Sequence, residues 1–191
     1  MMSLMEDRDP GTDSLAPALL LSMPQLLDPN FAHSVVLLCR HSAEGAFGLV
    51  VNRRLPTPAR VVIENDPAGK AEKDLPVWLG GPVDQERSWI LLGDAPGEVE
   101  AVPVADGLYL STSPALLKRL MEPSPPRARL LVGYAGWGPG QLDAELRASA
   151  WLTIGVTADL LFETPEDAMW ETALRRLGAD PGALHLSHGV H

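Results

Sequence analysis

The chain has 191 residues, 46% of them apolar and 21% charged, with 18 prolines and 17 glycines. That length leads us to expect one domain whose core needs no disulfide or metal, and a composition so rich in turn residues argues against a helical bundle. Its 15 basic and 25 acidic residues leave a net charge of −10, which repels phosphate backbones and argues against direct nucleic-acid binding.

Residues 1–14 are polar and acidic, without periodicity, and read as a disordered N-terminal tail. They lack the basic-then-apolar order of a signal peptide. The longest apolar runs, Ala18 to Leu21 and Val35 to Cys39, are too short to span a bilayer. Cys39 is the only cysteine, so no intrachain disulfide can form, which fits a reducing compartment. A cytoplasmic protein without a membrane segment is the expectation.

The ordered domain is expected over residues 15–180. Ala18 to Ser22 reads as a buried strand that ends at Met23-Pro24. Asp28 to Phe31 reads as a turn or one helical turn. Ser34 to Cys39 and Phe47 to Val51 read as two strands of a hairpin around Glu44-Gly45. All three strands are apolar throughout, the pattern of strands covered on both faces. Asn52 to Pro58 reads as a loop. Proline at the first helical position predicts a short helix from Pro58 to Glu64. The polar stretch Asn65 to Leu75 predicts an exposed loop.

Val77 to Leu79 and Ser88 to Leu92 follow as strands, separated by the tight Gly80-Gly81-Pro82. Asp106-Gly107 predicts a hairpin turn between Val102–Val104 and Leu108–Leu110. Ser113-Pro114 predicts a helix start with an N-cap serine. Leu116, Leu117, Leu120 and Met121 give that helix one apolar face. Arg129 to Tyr134 reads as a strand, Gln141 to Ala148 as a helix and Trp151 to Ile154 as a last strand. Thr164 with Asp167 approximates a capping box. It opens a helix whose apolar positions are Trp170, Ala173, Leu174 and Leu177, closed by Gly178. Residues 181–191 read as a C-terminal tail. Strand pairs with inserted helices and no βαβ rhythm predict an α+β fold, with a largely antiparallel or mixed sheet forming a β-barrel-like core.

The densest local signal is Gly133 to Gln141, GYAGWGPGQ, which holds four glycines between a strand and a helix. Backbone N–H groups at such a turn can bind an anion, yet no lysine follows and no phosphate-loop spacing is present. The alternative is a tight connection with Trp137 as a packing plug. Asn52 and Arg53 leave the end of a buried strand, where such a pair can hold a carboxylate or phosphate or serve the turn itself. The candidate ligand-binding residues are Asn52, Arg53, Gly80, Gly81, Gly133, Trp137, Gly138 and Gln141. Asp143 is placed to pair with Arg147 at i+4. Cys39, flanked by His33 and His41, reads as a small core residue rather than a nucleophile. His185, His188 and His191 lack the companions of a zinc site, and no serine stands in a nucleophile elbow. No catalytic residue and no cofactor follow from these patterns.

Several strings in one order resemble the YqgE/AlgH family of bacterial proteins. They are ALLLSMPQLLDPNFAHSVVLLCRHSAEGAFGLVVNR (18–53), VWLGGPV (77–83), DGLYLSTS (106–113), GYAGWGPGQLDAEL (133–146), WL (151–152) and DLLFETPEDAMWETALRRLG (159–178). Arg54 departs from the family pattern, where proline follows the VNR string. The resemblance implies an α+β fold with a barrel-like core and a cytoplasmic location. It also implies a largely uncharacterised function, one branch being labelled a transcriptional regulator in the context of exopolysaccharide production. The leading expectation is a non-catalytic regulatory or accessory protein that acts through a protein partner. The alternative is a small-molecule or nucleotide binder, or an enzyme, with a pocket at the glycine-rich turns.

Overall fold

The structure is a computed structural model that describes residues 14–26, 28–66 and 69–186. Strand β1 (Ala18–Ser22) runs antiparallel to β2 (Val35–Ser42), which turns at Glu44 into β3 (Gly45–Val50). Between β1 and β2 lies one 3-10 turn, Pro29–Phe31, capped by the Asp28 carboxylate on the Asn30 N–H. A hairpin follows, β4 (Ala59–Asp66) and β5 (Gly69–Leu75), then β6 (Val77–Leu79) and the long β7 (Val83–Leu92). Strands β8 (Val102–Ala105) and β9 (Leu108–Ser111) precede helix α1 (Pro114–Leu120). The rest is β10 (Ala128–Trp137), α2 (Gln141–Arg147), β11 (Trp151–Ile154), α3 (Ala158–Phe162), α4 (Glu166–Arg176) and α5 (Pro181–Leu186).

Among the described residues, nine strands make one mostly antiparallel sheet in the order β11-β1-β2-β3-β10-β7-β9-β8, with β6 parallel to β10. It curls into a half-barrel, the expected α+β architecture. The apolar runs of β1, β2 and β3 are covered on both faces, as their composition predicts. Leu19, Leu21, Leu37 and Leu49 point to the side covered by Leu160, Met169 and Trp170 of α3 and α4. Leu20, Val36, Leu38 and Val50 point to the other side, under Leu142 of α2 and Trp151. Burying one such leucine contributes about 2 kcal/mol, so this central sheet is the main stabilising element.

The structure corrects several local expectations. Residues 58–64 form β4, not a helix, because Val61-Val62-Ile63 is β-branched and stiff at χ1. Its partner β5 occupies the stretch expected to be a loop. That polar strand is held by cross-strand charge, Arg60 with Glu72, and by Lys73 Nζ, which donates to the Leu120 and Glu122 carbonyls at the end of α1. Strand β10 continues through Trp137, so the glycine-rich turn shrinks to Gly138–Gly140. Residues 181–186 form α5 rather than a tail.

At α4, Thr164 does not cap. Its hydroxyl donates to the Asp159 carbonyl, and Pro165 occupies the cap position. The far end behaves as predicted. Gly178 has φ +76°, and the Gly178 and Ala179 N–H groups return to the Arg175 and Leu174 carbonyls. The tails expected over residues 1–13 and 187–191, His188 and His191 included, lie outside the described residues.

Cys39 is half-buried against the core, its thiol 3.5 Å from the Leu37 carbonyl, and desolvation pushes it up to about 12. The native thiol is therefore expected to resist a thiol reagent at pH 8 and to react fully in denaturant. A raised folded value stabilises the fold below the ordinary thiol value of 9.0 and loses that contribution as pH climbs toward 12. Reaction of the native thiol at the rate of the unfolded chain would contradict this placement.

Candidate functional site

The sequence candidates fall into three places. The first is where β3 leaves the sheet. Asn52 Oδ1 accepts from the Val35 N–H and Nδ2 donates to the His33 carbonyl, both at 2.9 Å. Arg53 donates to the Ala32 carbonyl at 3.0 Å. Burial lowers the Arg53 guanidinium from its usual range, an effect opposed by Asp28. The two side chains therefore clamp the segment between the 3-10 turn and β2. That segment holds His33 at φ +53°, a left-handed conformation uncommon outside glycine.

The second place is a backbone joint. The Gly80 N–H donates to the Val132 carbonyl and the Gly80 carbonyl accepts from the Val50 N–H, both at 2.7 Å. A Cβ on Gly81 would lie 2.1 Å from the Tyr134 carbonyl carbon, and one on Gly133 would lie 2.4 Å from the Gly81 oxygen. Here β3, β6 and β10 cross at distances only glycine permits. The joint adjoins the first place, since the Leu79 N–H donates to the Arg53 carbonyl at 2.8 Å.

The third place is the other end of β10. Glu145 Oε2 accepts from the indole N–H of Trp137 (3.0 Å) and of Trp151 (2.7 Å). Its Oε1 accepts from the Gln141 amide (3.1 Å), whose oxygen takes the Gly138 N–H (3.0 Å). Phe31 stacks on Trp137 and meets Trp151 edge-on. Trp137, Gly138 and Gln141 thus form a closed structural network. Asp143 turns away from Arg147 and lies 3.2 Å from His41 Nε2, while His41 Nδ1 accepts from the Leu15 N–H. Trp137 pairs with Ala46, six residues before Asn52. At about 3.3 Å per residue, about 20 Å of strand separates this network from the first place.

Among the sequence candidates, Asn52 and Arg53 line a cleft. The polar cleft holds about 230 Å3, with Asn52 and Arg53 on one wall and Glu166, Asp167 and Glu171 of α4 on the other. An apolar groove of about 290 Å3 lies beside it, lined by Met23, Pro24, Leu26 and Leu184. Both share Ala32, His33 and Trp170. The His33 and Trp170 rings meet edge-on at 4.5 Å, and the Trp170 N–H donates to the Ser22 carbonyl at 2.9 Å. Glu166 is fixed from behind, accepting from Trp78 Nε1 at 3.0 Å. Beneath it the buried Arg129 donates to the Val51 carbonyl and stacks over the Trp78 ring, 4.9 Å from its centroid. Burial lowers the Arg129 guanidinium from its usual range, and Glu166 opposes that shift.

The α4 wall is not predicted from the sequence, where Trp170 reads as core and His33 as a neighbour of Cys39. A signal was present. Asp167 and Glu171 stand four apart on one helix, a like-charge pair that costs an isolated helix about 0.2–0.5 kcal/mol.

The AlgH-like family model (DUF179) matches residues 19–182. The chain belongs to the AlgH-like family. A UPF0301 protein of Myxococcus xanthus is 41% identical over 180 residues, covering 93% of this chain and 99% of that one. One of Ruegeria pomeroyi is 37% identical, covering 92% and 98%. The solution structure of the AlgH protein from Pseudomonas aeruginosa matches with a TM-score of 0.69 and 29% identity over 98% of both chains. A Corynebacterium diphtheriae protein shares the fold at a TM-score of 0.67 and 24% identity. In this AlgH-like chain the matched region spans the clamp at Asn52–Arg53, the glycine joint and α4, so both walls of the cleft lie inside the family domain. No helix among the described residues is long and apolar enough to cross a membrane.

Proposed function

We propose that this AlgH-like chain is a non-catalytic accessory or regulatory protein of the cytoplasm that works by binding. Its site is the pair of clefts between the Ala32–His33 segment and α4. The observation that carries this reading is the shared wall, because Ala32, His33 and Trp170 line both clefts and make them one two-part surface. Together the clefts offer an apolar floor beside a few placed polar groups, the usual composition of a recognition site. The polar heads nearest that floor are already engaged in holding it. Asn52 and Arg53 bond backbone, and Glu166 bonds Trp78. That arrangement supports a preformed binding surface over a reacting centre. The acidic net charge favours regulation through partners over contact with nucleic acid.

The test is a thermal-shift screen of the whole chain against nucleotides, sugar phosphates, amino acids, alkylamines and short peptides. A ligand at about 100 times its dissociation constant stabilises by about 2.7 kcal/mol, or about 5–10 °C for a chain of this size. The shift should vanish in Ala32→Trp, which fills the shared wall from an exposed position. Shifts that survive Ala32→Trp unchanged, or a flat panel, would remove the cleft from this reading.

A further inference from the structure

We infer that the two-part cleft receives an extended peptide segment of a partner protein, carrying a basic side chain two residues from an apolar one. This rests on the binding reading above and names its occupant. The apolar groove, with Met23, Pro24, Leu26 and Leu184, offers a side-chain-sized apolar space of about 290 Å3. It continues past His33 and Trp170 into a cleft with a definite charge. The lining there counts three carboxylates, Glu166, Asp167 and Glu171, against one guanidinium, Arg53.

These carboxylates are not equally available. Glu166 is engaged by Trp78, with Arg129 behind it. Glu171 meets Arg175 at 3.0 Å on the exposed side of α4. Asp167 is exposed and has no hydrogen-bond or ion-pair partner among the described residues. Arg53 is turned onto the Ala32 carbonyl, with Asp28 also acting on it. The polar cleft therefore presents a net negative wall with one carboxylate unpaired. A cation complements it, and an anion entering it meets like charge.

The chain's charge of −10 also favours encounter with basic partners. Residues i and i+2 of an extended strand point the same way, about 7 Å apart. A leucine seated in the groove thus directs a lysine at i+2 across the shared His33–Trp170 wall toward the cleft that Asp167 lines.

The experiment is fluorescence anisotropy of the full chain with dye-labelled, end-blocked hexapeptides of glycine and serine that carry leucine and lysine at i and i+2. Saturable binding is expected. Replacing the lysine by glutamate should weaken it at least about tenfold, and replacing the leucine by serine about as much. Asp167→Asn should weaken the lysine peptide about three- to tenfold, as should raising salt from about 0.05 to 0.5 M. Ala32→Trp should abolish binding. Equal affinity for the glutamate peptide, indifference to Asp167→Asn, or no peptide binding at all would overturn the inference. If n-hexylammonium competes as well as the peptide, the occupant is a small amphiphile and the peptide assignment falls. The binding reading survives that failure if other ligands still give shifts that Ala32→Trp removes. Both fail if the screen is flat as well.

Discussion

Gly133→Ala is expected to cost about 4 kcal/mol or more and to drive the expressed chain into the insoluble fraction. Gly138→Ala, in the same glycine-rich stretch, is expected to change stability by less than about 1 kcal/mol. At Gly133 two penalties combine. The backbone sits at φ +72°, which costs a residue with a Cβ about 1–2 kcal/mol. The added carbon would also stand 2.4 Å from the Gly81 oxygen and 3.1 Å from the Val83 oxygen. Both contacts are backbone, Gly81 in the connection between β6 and β7 and Val83 at the start of β7, beside the register shift between Val132 and Tyr134, so neither can swing aside. At Gly138 the nearest atom is the Gln141 amide oxygen at 3.9 Å, an ordinary contact. Gly140 falls between. Its φ is +70° but the space is open, so Gly140→Ala should cost about 1–2 kcal/mol. Urea denaturation of the three variants, with the soluble fraction on expression, measures the order. A soluble Gly133→Ala within about 1 kcal/mol of the parent would show that the joint yields.

Glu145→Ala is the second large effect, with an expected loss of about 3 kcal/mol and a fall of about 6–12 °C in melting temperature. The carboxylate accepts from Trp137, Trp151 and Gln141 at 2.7–3.1 Å. Both indoles sit in the core beneath α2, with only 7% and 2% of their residue surface exposed. Removing the acceptor leaves their N–H groups without partners away from water, at about 1–3 kcal/mol each. Glu145→Gln keeps an oxygen for one indole and should lose roughly half as much. The change should leave the peptide affinity of the cleft alone, because the network and the cleft lie at opposite ends of β3. A loss below about 0.5 kcal/mol in Glu145→Ala would mean that water replaces the carboxylate.

The sheet was legible wherever a strand's character lay in its own residues. The runs Ala18–Leu21, Val35–Cys39 and Phe47–Val50 are apolar throughout and became the doubly covered centre. Ser113-Pro114 and Gly178 mark helix ends because capping is local. The hairpin β4–β5 was hidden because its second strand, GKAEKDL, is polar and borrows stability from Lys73 on the end of α1. The glycine density was visible, but not which glycine meets another backbone, since Gly81 and Gly133 are 52 positions apart in the chain.

The sequence alone determined the α+β class, the family, the covered central strands and the clamp residues Asn52 and Arg53. These follow from composition, period and short motifs, which act between near neighbours. Only packing between distant segments divides the glycine-rich stretch into a joint and a separate Trp–Glu network. Only it decided that the clamp faces Glu166, Asp167 and Glu171 across a cleft. That pairing joins the end of β3 to α4, more than 110 residues later in the chain. It arises because Trp170 and Met169 must bury against the half-barrel, which turns the acidic side of the same helix toward His33.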